Sequence, residues 1–175
     1  KLLQQSGPGR AMSLFLADSL VSTQTAAGTT LVGIDGSVPG AATVGGTVAS
    51  GAAVSVANLY WQRPATTGCG GGTAFWNCGA DRVAYVAAHE TGHFLGLYHE
   101  TESDGTLFDP VSDTPTCPCS ACRPSGSTKQ CNPAAGSADA YEVTGFDCTA
   151  SASCGGGADL MFWLVSSVSR GSISV

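Results

Sequence analysis

All three histidines of the 175-residue chain fall inside eleven residues, His89-Glu90-Thr91-Gly92-His93-Phe94-Leu95-Gly96-Leu97-Tyr98-His99. Histidines used for ordinary packing would be dispersed, so this clustering assigns imidazole to one task. On a helix, residues four apart stand one turn above the other on the same face, and His89 and His93 can offer two ring nitrogens to one ion. Gly96 can take a positive φ without steric cost, end the helix and let the chain return with His99 as a third ligand. Three histidines with a fourth position open to water describe a catalytic zinc site, whereas structural zinc is usually enclosed by four ligands rich in cysteine. Glu90 adjoins the first ligand but is turned by about 100° around the helix. It can reach the zinc-bound water without binding the metal and is the expected general base.

The helix that carries these residues is expected to start near Asp81, whose carboxylate can cap it, and to run to Leu95. Val83, Val86, Ala87 and Phe94 have the spacing to anchor it in a core. Strands are expected from Met12 to Asp18, from Leu31 to Ile34 with Gly33 as a weak point, and from Gly51 to Asn58. The glycine- and alanine-rich stretch from Ser37 to Gly51 reads as an irregular connection.

Only 11 % of the residues are charged and 24 are glycine, while 43 % are hydrophobic, enough to supply a core for one domain of this length. A net charge of -6 argues against nucleic acid or an anionic membrane as partner. No apolar run reaches the roughly eighteen residues that cross a bilayer. A monomer is expected.

Eight cysteines stand at 69, 78, 117, 119, 122, 131, 148 and 154, six of them after the third histidine. So many cysteines outside a metal site point to an oxidising, extracellular compartment. Cys69 and Cys78 bracket Gly70-Gly71-Gly72 and are expected to pair locally. The other six supply three bridges of open connectivity. A rival reading gives Cys117, Cys119, Cys122 and Cys131 a second zinc, although C-x-C-x-x-C lacks the paired knuckles of zinc ribbons. Glu102, Asp104, Asp109 and Asp113 crowd carboxylates into the loop after His99 and form a candidate calcium site.

The segment from His89 to His99 resembles the zinc signature of the metzincin metallopeptidases. By that resemblance Asp159-Leu160-Met161-Phe162-Trp163 is the methionine turn, with Met161 as a floor beneath the zinc and no direct chemistry of its own. Gly96-Leu97-Tyr98-His99 followed by Asp113-Thr114-Pro115 in a cysteine-containing loop is most similar to the pappalysin group; Glu100 after the last ligand is similar to the astacins. Both groups carry a tyrosine two residues after the turn methionine. Trp163 stands there instead, and an indole can only donate, so no tyrosine switch at the metal is expected.

The resemblance implies an α+β, metzincin-like fold: a small twisted sheet, a long zinc-binding helix above the cleft floor, and an irregular disulfide-rich C-terminal subdomain. The whole of residues 1–175 is then a single catalytic domain, with subdomains of about 1–96 and 97–175. The strand from Gly51 to Asn58 would form the upper rim of the cleft and pair with an extended substrate. The absence of an initiator methionine and of a signal peptide reads as a mature or excised fragment.

The expected function is that of a secreted zinc endopeptidase, with His89, His93 and His99 holding Zn2+ and Glu90 as general base and acid. The alternative is a retired, zinc-holding secreted binding or adhesion module. Retention of Glu90 speaks against it, because such a module needs no base.

Overall fold

The computed structural model describes residues 2–5, 11–21, 31–41, 45–57, 79–133, 137–144, 148, 156–157 and 159–164. The chain falls into two compact units, residues 1–97 and 98–175.

The first unit is α+β. After a short 3-10 turn at Leu3–Gln5 it contains strands β1 (Ser13–Ala17), β2 (Gly33–Asp35) and β3 (Gly51–Ser55), followed by helix α1 (Gly79–Phe94). The sheet order is β1-β3-β2. β1 runs parallel to β3, with Ser13 opposite Gly51 and Ala17 opposite Ser55. β2 runs antiparallel, pairing Gly33 with Val54 and Asp35 with Ala52.

β3 is buried along its whole length. A strand covered on both faces and paired on both edges leaves little room for large side chains, which accounts for Gly51-Ala52-Ala53-Val54-Ser55. A Cβ on Gly51 would collide with the Ser13 backbone. This central position overturns the expectation that the strand beginning at Gly51 is an open rim. Its hydrogen-bonding edges are occupied by β1 and β2.

Helix α1 starts at Gly79, two residues ahead of the expected start near Asp81. Val83, Val86 and Phe94 are buried as the apolar spacing requires, and Ala87 is half-buried. The irregular connection before β3 is tied to the end of this helix by Gly40 N–H, which donates to Phe94 O at 2.8 Å. Gly40 lies against the Phe94 ring, with no space for a Cβ.

The second unit includes the short helix α2 (Cys119–Cys122). Its core is Cys117, Cys119, Cys122, Val143, Cys148 and Phe162, with Tyr141, Trp163 and Leu164 packed against it. Cys119 is bridged to Cys131. The bridge removes two of the four thiols that a second zinc at Cys117, Cys119, Cys122 and Cys131 would need. Cys117 is in disulfide linkage as well. Cys69, Cys78 and their expected local pairing lie outside the described residues.

Candidate metal centre

His89 and His93 lie four residues apart on α1, both buried, with their Nε2 atoms 3.1 Å apart. Two imidazole nitrogens that converge in this way present lone pairs to a common point. His99 completes the group: one ligand atom from each of the three histidines lies within 4.8 Å of the others. Neutral imidazoles around one centre form a donor set suited to zinc, and the residues present fit that ion.

The turn after α1 explains how this comes about. Gly96 has φ +102°, a value that a side chain disfavours, and its N–H donates to His93 O at 2.9 Å. Leu97 N–H donates to Gly92 O, also at 2.9 Å. These two bonds make a Schellman cap, which satisfies the last carbonyls of the helix and reverses the chain. The reversal delivers the Leu97 carbonyl to His93, whose Nδ1 lies 2.8 Å from it. With Nδ1–H donating there, the Nε2 lone pair of His93 is left for a metal.

His99 is oriented in a comparable way. Its Nδ1 stands 3.0 Å from Glu102 Oε1. Glu102 was expected among the calcium candidates and instead contacts the third histidine. Asp104 accepts from Thr106 N–H at 2.9 Å and from the Thr106 hydroxyl, and Asp109 accepts from Val111 N–H at 2.9 Å. Among the described residues these carboxylates do not gather into a metal-binding group.

Glu90 is buried, and β2 runs beside it. A Cβ on Gly33 would fall onto the Glu90 carboxylate and 2.7 Å from Val86 Cγ1. Burial pushes the Glu90 carboxyl up to about 8, and the neighbouring charge of Asp35 pushes in the same direction. Asp35 is itself raised by burial, against the lowering effect of the Gly36 and Ser37 N–H groups. A cation on the adjacent histidines would favour the ionised form of Glu90 and lower its pKa.

In the second unit Glu100 is buried, and its N–H donates to Met161 O at 3.3 Å. Met161 is buried as well. The segment around Met161 is therefore stitched to the residue that follows the third histidine. Burial and then Asp159 raise the Glu100 carboxyl to about 8, with a smaller push from Asp109. Trp163 donates from Nε1 to Val143 O at 2.7 Å, so its one polar atom is spent on the core of the unit.

Gly33, Asp35 and Glu102 escaped the sequence reading. Gly33 was read only as a weakness in a strand, although a glycine inside a strand also signals close approach of a neighbour. Glu102, three residues after His99, carried no signal that separated it from the other acids of its loop.

Among the described residues no helix is long and apolar enough to cross a membrane. No curated protein and no solved structure matches the chain. A family model does, the reprolysin-type model of metallo-peptidase family M12, over residues 11–144. That span contains the sheet, α1, all three histidines and α2. The match does not choose between the pappalysin-like and astacin-like features of the sequence. It agrees with the metzincin-like α+β arrangement and with a buried histidine group suited to zinc, and the chain belongs to metallo-peptidase family M12.

Proposed function

We propose that the protein is a metzincin-type zinc endopeptidase that works outside the cell. The observation that carries this reading is the group formed by His89, His93 and His99 on and just after a helix that also bears Glu90. Those three residues would hold the zinc. When bound, the ion polarises the scissile carbonyl and makes a water acidic enough to be deprotonated near neutrality.

Glu90 does the proton work. As carboxylate it takes a proton from the attacking water, and as carboxylic acid it returns that proton to the amine of the departing peptide. Zinc on the adjacent histidines would oppose the upward push of burial and of Asp35 and leave Glu90 ionised for the first half of the cycle. Met161 serves as a floor without chemistry of its own.

The substrate would lie extended along the outer edge of β2, the strand beside Glu90. Gly36 N–H bonds Gly51 O and Ser55 N–H bonds Val32 O, so the even-numbered residues of β2 face β3. In an antiparallel ladder the backbone groups of Gly33 and Asp35 then point the other way, toward a strand that could be added there. Disulfides and a core made of cysteines support an oxidising compartment.

The test is cleavage of casein by the purified protein with and without a zinc chelator, beside the Glu90→Gln variant. Glu90→Gln should keep its zinc and lose at least about a hundredfold in turnover. Turnover that survives within about tenfold would remove Glu90 from the role of base. Zinc binding by the wild-type chain with no cleavage of casein, gelatin or a peptide library would favour the retired binding module.

A further inference from the structure

Among the described residues of the second unit, Cys122 and Cys148 lie close together. Cys122 closes α2 and Cys148 lies 26 residues further along the chain. Both are buried, in the cluster that also contains Cys117, Cys119, Val143 and Phe162. Their Sγ atoms are 2.8 Å apart. Even carbon atoms, which are smaller than sulfur, rest at about 3.5–4.0 Å when they are not bonded. A disulfide needs about 2.05 Å, less than one ångström of further approach.

We propose that Cys122 and Cys148 form a second disulfide alongside Cys119–Cys131. Metal ligation is the competing use of such a cluster, since a sulfur of Cys117 lies within 4.8 Å of the other two. Cys117 is already in disulfide linkage and has no thiolate to give. Among the described residues that leaves two thiolates in the cluster, short of the four ligands of an enclosed zinc site.

The bond forms by exchange with a disulfide-bearing oxidant such as oxidised glutathione or a disulfide oxidoreductase. One thiol loses its proton and attacks a sulfur of the oxidant, giving a mixed disulfide. The second thiolate then attacks the protein sulfur of that bond and expels the reduced oxidant. Two protons and two electrons leave the protein, and one disulfide of the oxidant becomes two thiols. Both sulfurs are buried in the folded unit, so this exchange belongs to folding, before the core closes. α2, a single turn, would then be held by one bridge from each end.

The proposal does not depend on the peptidase reading. The full chain, folded in a glutathione redox buffer, is denatured without reduction, alkylated and digested. The expected result is a peptide pair joined through Cys122 and Cys148, lighter by two hydrogens than the sum of its thiol forms and separated by reduction. Alkyl groups on both cysteines, or either one joined elsewhere, would overturn the assignment. Thermal unfolding of Cys122→Ser, Cys148→Ser and the double variant adds a second reading. One shared bond predicts that the double variant loses no more than either single variant, whereas additive losses count against it. A second equivalent of zinc that is lost in these variants would assign the cluster to a metal and sink the proposal.

Discussion

A single missing methyl group sets the position of the proposed base. Gly33 lets β2 pass against Glu90, and an alanine there must displace the carboxylate or the Val86 side chain. Gly33→Ala is expected to lower kcat on the order of a hundredfold through misplacement of the base, while zinc content stays at one equivalent. Glu102 acts on the metal side. Removing its contact with His99 Nδ1 in Glu102→Ala should weaken zinc by about ten- to a hundredfold, as read by competition with a chromophoric chelator. An unchanged affinity would mean that His99 is oriented by something else. Gly96→Ala tests the helix stop: at φ +102° a Cβ costs on the order of 1–2 kcal/mol, measurable by denaturant titration of the metal-free protein.

At the scale of elements, the helix and the three strands were legible because each rests on local periodicity. Apolar spacing in Val83, Val86 and Phe94 marked α1; β1 and β3 appeared within the expected runs, and β2 began inside its run and extended one residue past it, to Asp35. The order of the strands was not legible. Whether Gly51–Ser55 or Gly33–Asp35 borders a cleft depends on pairings between distant segments, and small residues such as Ala52 and Ala53 suit a central strand as well as an irregular loop. The histidine site was readable almost entirely, since its residues are close in sequence and helix geometry converts spacing into proximity. Asp35, whose charge acts on Glu90 from β2, was not. If β2 is the substrate-binding edge, peptides N-methylated at the residues that pair with Gly33 or Asp35 should lose about three- to tenfold in kcat/KM for each hydrogen bond removed. Equal cleavage of methylated and parent peptides would place the substrate elsewhere.

Across the whole molecule, stability without metal should depend on pH in an unusual direction for an acidic protein. Glu90 and Glu100 both titrate near 8 in the folded chain, against 4.5 in the absence of burial and neighbours. Between those values the folded state holds protons that the unfolded chain has released, so stability is greatest below about 4.5 and falls as pH rises toward 8. Thermal scans of the chelated protein should show Tm dropping by several degrees over that window, and Glu100→Gln should flatten part of the slope. A Tm that rises with pH would contradict the burial of these carboxyls.

The core of the second unit has a further consequence for the cell that makes the protein. Four of its six members are cysteines, in a unit that also supplies His99 and Met161. Hydrocarbon packs wherever the chain collapses, but sulfur bridges need an oxidant. In a reducing cytosol this half of the molecule loses its fastenings, and the third imidazole loses its support with them. If the chain is exported, as proposed above, its metal site would mature only once these bridges have closed.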